Sequence, residues 1–111
     1  MTALGADTVR VGDAPLVGDT RYGGSRRDWA QVTWTDLPGC AVQPISGEET
    51  AAGREFTATR VRLYAPGDGA GISAHSRVEY DGTTYEVDGE PARWRDGADR
   101  HVEAVLKRLE G

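Results

Sequence analysis

The stretch Arg77–Trp94 (RVEYDGTTYEVDGEPARW) constrains the fold more than any other part of the chain. Two alternating apolar/polar runs meet at Asp81-Gly82, and a Gly89-Glu90-Pro91 bend then leads into a third run ending in Trp94. Asp-Gly between alternating runs is the strongest short-range hairpin signal, because both loop residues must take positive φ. A loop of those two residues pairs Tyr80 with Thr83, Val78 with Tyr85 and Ser76 with Val87 on one mostly apolar face. Glu79 then pairs with Thr84 and Arg77 with Glu86 on the polar face, the latter as opposite charges. Turn chemistry and face alternation agree on a single register.

The remaining segments read as further short strands. Met1–Arg27 is rich in Gly, Asp, Arg and Thr and predicts an extended arm with at most one strand, Thr8–Val11. Trp29–Thr35 alternates and predicts a strand, Leu37-Pro38-Gly39 a turn, and Gly39–Ile45 a second strand that Pro44 confines to an edge or to the strand's end. Ser46–Arg54 is small and polar. Its Ser46/Glu49 spacing fits a capping box for one helical turn, which Gly53 and the short length prevent from extending. Glu55–Ala65 predicts the central strand, Pro66–Gly71 a loop and Asp96–Asp99 a turn.

Arg100–Glu110 is ambiguous. Val102, Val105, Leu106 and Leu109 fit the helical template, whereas a strand puts Val102, Ala104 and Leu106 on one face. The strand reading is preferred, because it lets a sheet close on itself instead of exposing an edge. Six to eight short strands spaced by turns predict a small β-barrel or sandwich.

A chain of 111 residues is one domain's worth and can bury a modest core without covalent staples. Its net charge of −5 argues against a surface dedicated to coating nucleic acid. The single cysteine, Cys40, rules out an intramolecular disulfide. No basic region followed by an apolar core marks a signal peptide, and no apolar run reaches membrane-spanning length.

The residue inventory offers little chemistry. One Cys and two His, His75 and His101, offer no metal-ligand spacing. A lone cysteine in an alternating run reads as a small buried hydrophobe before it reads as a nucleophile. Gly67-Asp68-Gly69-Ala70-Gly71 precedes a strand, not a helix, and lacks the lysine of a phosphate-binding loop. Asp81, Glu86, Asp88 and Glu90 read as a solvated acidic face. The pairs Arg60/Arg62 and Arg93/Arg95 each share a strand face; each pair reads first as exposed strand positions, and second as a surface that could touch phosphates or an acidic partner. Trp29 and Trp34, five apart, point to opposite faces of a regular strand, so one of them becomes a candidate interface anchor. Trp94 is open to either a core or an interface role.

Five motifs occur in order: Asp28-Trp29, Pro38-Gly39-Cys40-Ala41-Val42-Gln43-Pro44, Arg62-Leu63-Tyr64-Ala65-Pro66, Tyr85-Glu86-Val87-Asp88-Gly89-Glu90-Pro91 with Trp94, and His101-Val102-Glu103 through Glu110-Gly111. From Asp28 onward, their order and spacing resemble the head-to-tail connector (stopper, or head-closure) proteins of siphophages of actinobacteria. The resemblance implies a mainly β chain: a small β-barrel of about six to eight short strands, spanning 28–111, with an extended N-terminal arm over 1–27 and a long polar loop. It implies a structural virion protein, not an enzyme, with no cofactor and no membrane association.

Such proteins form a ring below the portal and adaptor and above the tail, close the DNA channel after packaging and dock the tail. The implied partners are copies of the chain itself, a portal-side adaptor, a tail terminator or tail-tube protein, and viral double-stranded DNA without sequence specificity. Sixfold is favoured over twelvefold symmetry to match a tail. The implied location is the virion neck, reached by assembly in the host cytoplasm. In related stoppers a loop between two early strands enters the channel. By position that loop is Ser46-Gly47-Glu48-Glu49-Thr50-Ala51-Ala52-Gly53-Arg54. The candidate interface residues are Trp29, Trp34, Arg60, Arg62, Arg93 and Arg95. A monomeric small-barrel module binding a peptide or nucleic acid is the alternative, and an enzyme built on Cys40 or the acidic cluster ranks last.

Overall fold

The computed structural model describes residues 4–19, 24–45, 60–95 and 100–109. The strands are β1 (Asp7–Asp13), β2 (Leu16–Asp19), β3 (Gly24–Arg27), β4 (Thr33–Pro44), β5 (Arg60–Pro66), β6 (Arg77–Tyr80), β7 (Thr83–Val87), β8 (Ala92–Trp94) and β9 (His101–Arg108).

The β6–β7 hairpin takes the register that its sequence dictates: Arg77 opposite Glu86, Val78 opposite Tyr85, Glu79 opposite Thr84 and Tyr80 opposite Thr83. Asp81 has φ 51° and Gly82 φ 80°, the doubly positive geometry of a type I′ turn. Val78, Tyr85 and Val87 are buried, with Ser76 beside them.

The sheet runs β5-β4-β1-β6-β7-β9, and β5 pairs with β9 from Arg60 opposite Lys107 to Pro66 opposite His101. That last pairing closes a six-stranded barrel, to which β8 adds one further strand along β9. The C-terminal segment is therefore a strand. Val102, Ala104 and Leu106 point into the barrel, and Val105, which completes the helical template, lies half-buried on the outside. The strand wins because β9 finds hydrogen-bonding neighbours on both edges, β5 on one and β7 and β8 on the other.

The core is the barrel interior: Val9, Val11, Leu37, Cys40, Val61, Leu63, Ala65, Ile72, Val78, Tyr85, Val87, Val102, Ala104 and Leu106 form one buried cluster. The barrel strands turn alternate residues inward, as a closed sheet requires.

Three expectations about the first half change. Residues 1–27 are not an arm as a whole: β1 lies between β4 and β6 and buries Val9 and Val11, so the barrel begins at β1 rather than at residue 28. The short Val9/Val11 alternation is a weak signal beside glycines and aspartates. Gly12 supplies room for the Trp34 ring from the opposite strand. Second, Leu37-Pro38-Gly39 is no turn. It lies inside the twelve-residue β4, where Val9 faces Leu37 and Asp7 faces Cys40, leaving one extra residue on β4. This is a β-bulge with Gly39 at φ 79°. Leu37 and Cys40 are three apart and would face opposite sides of a regular strand; the bulge turns both inward.

Third, Trp29–Gln31 is a 3₁₀ turn, not the start of a strand. The Asp28 carboxylate accepts the Ala30 N–H at 3.1 Å and the Gln31 side-chain amide at 2.9 Å, which caps it. Among the described residues β2 and β3 pair only with each other, as a two-stranded ribbon outside the barrel sheet.

Candidate functional site

A closed barrel filled by apolar side chains leaves its outer face and its appended elements to meet other molecules. Along β5 the inward residues Val61, Leu63 and Ala65 alternate with outward Arg60, Arg62 and Tyr64. Along β9 the outward set is His101, Glu103, Val105 and Lys107. Register puts Tyr64 opposite Glu103 on one side of β9, and Ala92 opposite Glu103 and Trp94 opposite His101 on the other. Trp94, His101, Glu103, Tyr64 and Arg62 therefore share one continuous outer surface across β8, β9 and β5.

Trp94 is the prominent member. Its ring stacks on the His101 imidazole with centroids 4.7 Å apart and planes 7° from parallel, and it remains 48% exposed. Only Leu4, Leu16 and Trp94 are exposed large hydrophobics among the described residues. Leu16 stands on the ribbon and Trp94 on the terminal strand of the barrel sheet.

The arginines predicted from spacing are distributed, not pooled. Arg60 and Arg62 share the outer face of β5, as their spacing implies. Arg60 pairs with Asp88 at 3.3 Å, and Arg62 Nε lies 3.3 Å from Glu103 Oε1, an ion pair whose geometry is not that of a hydrogen bond. The exposed Arg60–Asp88 pair is worth about 0–1 kcal/mol and mainly fixes side-chain direction. Arg93 turns the other way: its guanidinium binds the Asp68 carboxylate at 3.2 Å, the Asp68 carbonyl at 3.1 Å and the Ile72 carbonyl. It anchors the β5–β6 loop instead of facing outward. Arg95, just past β8, is exposed.

The tryptophans predicted as anchors are both partly covered by cations of their own chain. The Arg77 guanidinium lies 3.9 Å from the Trp29 ring centroid. Arg10 lies 5.1 Å from that of Trp34, while also pairing with Glu79 at 2.9 Å and Asp36 at 3.7 Å. Neither tryptophan is in the core. Residues Ser46–Arg54 lie outside the described residues; β4 and β5, which they join, pair from Ala41–Tyr64 to Pro44–Val61.

Cys40 is buried and its thiol lies 3.4 Å from the Leu37 carbonyl as a donor. Burial first, and the nearby Asp7 charge second, push its pKa up to about 11. The thiolate is therefore scarce at neutral pH, the reverse of an activated nucleophile. Among the described residues no group of three or more His, Cys, Asp or Glu side chains is placed to hold a metal ion. No helix among them is long and apolar enough to cross a membrane.

No family model matches the chain, and no curated protein matches it. Among solved structures it is similar to the solution structure of protein SF1141 from Shigella flexneri 2a, with 20% identity over 95% of each chain and a TM-score of 0.53. At that identity the similarity concerns the fold.

Proposed function

We propose that this chain is a ring-forming head-to-tail connector of a phage neck, closing the DNA channel after packaging and docking the tail. The observation that carries the reading is where the motifs of the resemblance fall. Pro38–Pro44 is the bulged half of β4, Arg62–Pro66 lies within β5, Tyr85–Trp94 runs through β7 and β8, and the last motif begins with β9. These four motifs lie on strands of the closed small barrel and its added β8, the fold that the resemblance implies, while the first, Asp28-Trp29, opens the 3₁₀ turn before β4. The chain also presents a ribbon outside the barrel sheet and, on β8, an exposed Trp94, surfaces suited to neighbours. A net charge of −5 suits a channel through which DNA must slide without sticking.

In this reading the partners are further copies of the chain, a portal-side adaptor, a tail terminator or tail-tube protein, and DNA contacted without sequence readout. Sixfold symmetry matches the tail. Labelling of particles with an antibody to this chain tests it. Label at the head–tail junction is the expected result, and label confined to the capsid shell, the tail tip or no virion overturns it.

One observation favours a second reading. The Trp94–His101 stack is an outward aromatic platform of the kind on which single-stranded bases stack. Oligonucleotide binding by a stable monomer, abolished by Trp94→Ala, would select a binding module over the connector.

A further inference from the structure

The two exposed hydrophobics on open-edged elements, Leu16 on the ribbon and Trp94 on β8, do not meet within one copy: β2 pairs only with β3, and β8 only with β9, among the described residues. Leu16 is 57% exposed and Trp94 48% exposed. An isolated two-stranded ribbon is marginally stable in water, and an edge strand with an exposed aromatic is a template for another strand. Charge is complementary as well. The ribbon presents exposed Arg26, and the β7–β8 corner presents exposed Glu90 beside Asp88, whose carboxylate also pairs with Arg60 of its own copy.

We infer that the ribbon of one copy docks along β8 of the next, with Leu16 against the free face of Trp94 and Arg26 toward the Asp88/Glu90 corner. The proposal rests on the connector reading only for its setting, and it names the subunit contact of that ring. The contact is heterologous: every copy offers a ribbon and receives one, and such head-to-tail contacts generate a ring where the rotation closes. A three-residue edge strand forms few hydrogen bonds, so a single contact is weak. Closure, in which each copy makes two such contacts, holds the assembly.

The test uses two full-length variants, Leu16→Cys and Trp94→Cys, mixed at NMR concentrations and oxidised. Both positions are exposed and outside the core cluster, so the barrel tolerates either change. Mixed dimers, in which position 16 of one variant is disulfide-linked to position 94 of the other, should exceed either homodimer at least several-fold. Leu16→Asp should weaken concentration-dependent self-association, read by sedimentation, by about tenfold or more. Homodimers in excess, or no disulfide-linked species in the mixture, overturn the contact. The connector reading fails separately, by particle labelling. Mixed dimers with no label at the neck would leave the contact standing and remove the connector; label at the neck with no mixed dimers would do the opposite.

Discussion

The carboxylate of Asp7 accepts the hydroxyl proton of Tyr80 at 3.2 Å, joining residues 73 apart in sequence. Its other oxygen accepts the Val42 N–H at 2.9 Å. One side chain at the start of β1 thus ties β4 to the end of β6, next to the β4 bulge, where ladder pairing is interrupted.

Removing that carboxylate strands a partly buried backbone donor. Asp7→Ala should cost about 1–3 kcal/mol in urea unfolding, the penalty for an unsatisfied group plus the lost bonds. Tyr80→Phe should cost less, about 1 kcal/mol, since Val42 keeps its acceptor. The double variant should lose less than the sum of the singles. Strict additivity would mean that the two residues do not act through one another.

Gly12 sits opposite Trp34, and a Cβ there would come within 2.7 Å of the indole. Gly12→Ala should therefore lift the ring from the strand and cost about 1–3 kcal/mol, with red-shifted tryptophan fluorescence. Gly18→Ala on the ribbon, where a Cβ meets nothing within 4 Å, is the matched control and should change the melting temperature little. Equal effects at the two sites would show that strand propensity, not the indole, governs Gly12.

The contrast between these sites shows what the sequence could disclose. Asp81-Gly82 determines both a turn type and a register because a local backbone demand and an alternation pattern agree. The β4 bulge is illegible because an extra residue reverses side-chain parity, so Pro38-Gly39 reads as a turn and Leu37 and Cys40 read as facing apart. β1 is understated because two valines among glycines and aspartates carry little periodic signal, although position in the sheet buries both. The prominence of Trp94 is hidden for another reason. A tryptophan has the same apolar character in a core and on a surface, and only the pairing of β8 with β9 shows which face is exposed. The Pro91 bend into a very short strand is the available clue.

Cys40 makes the fold sensitive to alkali. Its pKa is raised from 9.0 to about 11, chiefly by burial and then by Asp7. A raised folded-state pKa means that the native state holds its proton longer than the unfolded chain. Stability is then full below pH 9 and declines as pH rises toward 11, by an amount on the order of 2 kcal/mol. Burial, first among the causes, raises Tyr80 and Tyr85 in the same direction, which adds to the decline at the alkaline end. Cys40→Ala should flatten part of this slope in denaturant titrations across pH 8–11. In the native wild type a thiol reagent should react far more slowly than after unfolding. A slope unchanged by the substitution would assign the alkaline loss to the tyrosines.

Residues 46–59 connect β4 to β5, and the pairing of Pro44 with Val61 brings the two strand ends together. Removing Glu48–Ala52 leaves a connection still longer than any tight hairpin turn needs, and loop-closure entropy changes only slowly with length. Unfolding of the shortened chain should therefore match wild type within about 1 kcal/mol. If Ser46–Arg54 is the part of a connector that enters the channel, particles carrying the deletion should assemble heads and then lose DNA, measured as nuclease-sensitive genome in purified heads. Heads that retain DNA and mature normally, with a stably folded shortened chain, would remove the gate from this segment while leaving the ring contact to be judged on Leu16 and Trp94.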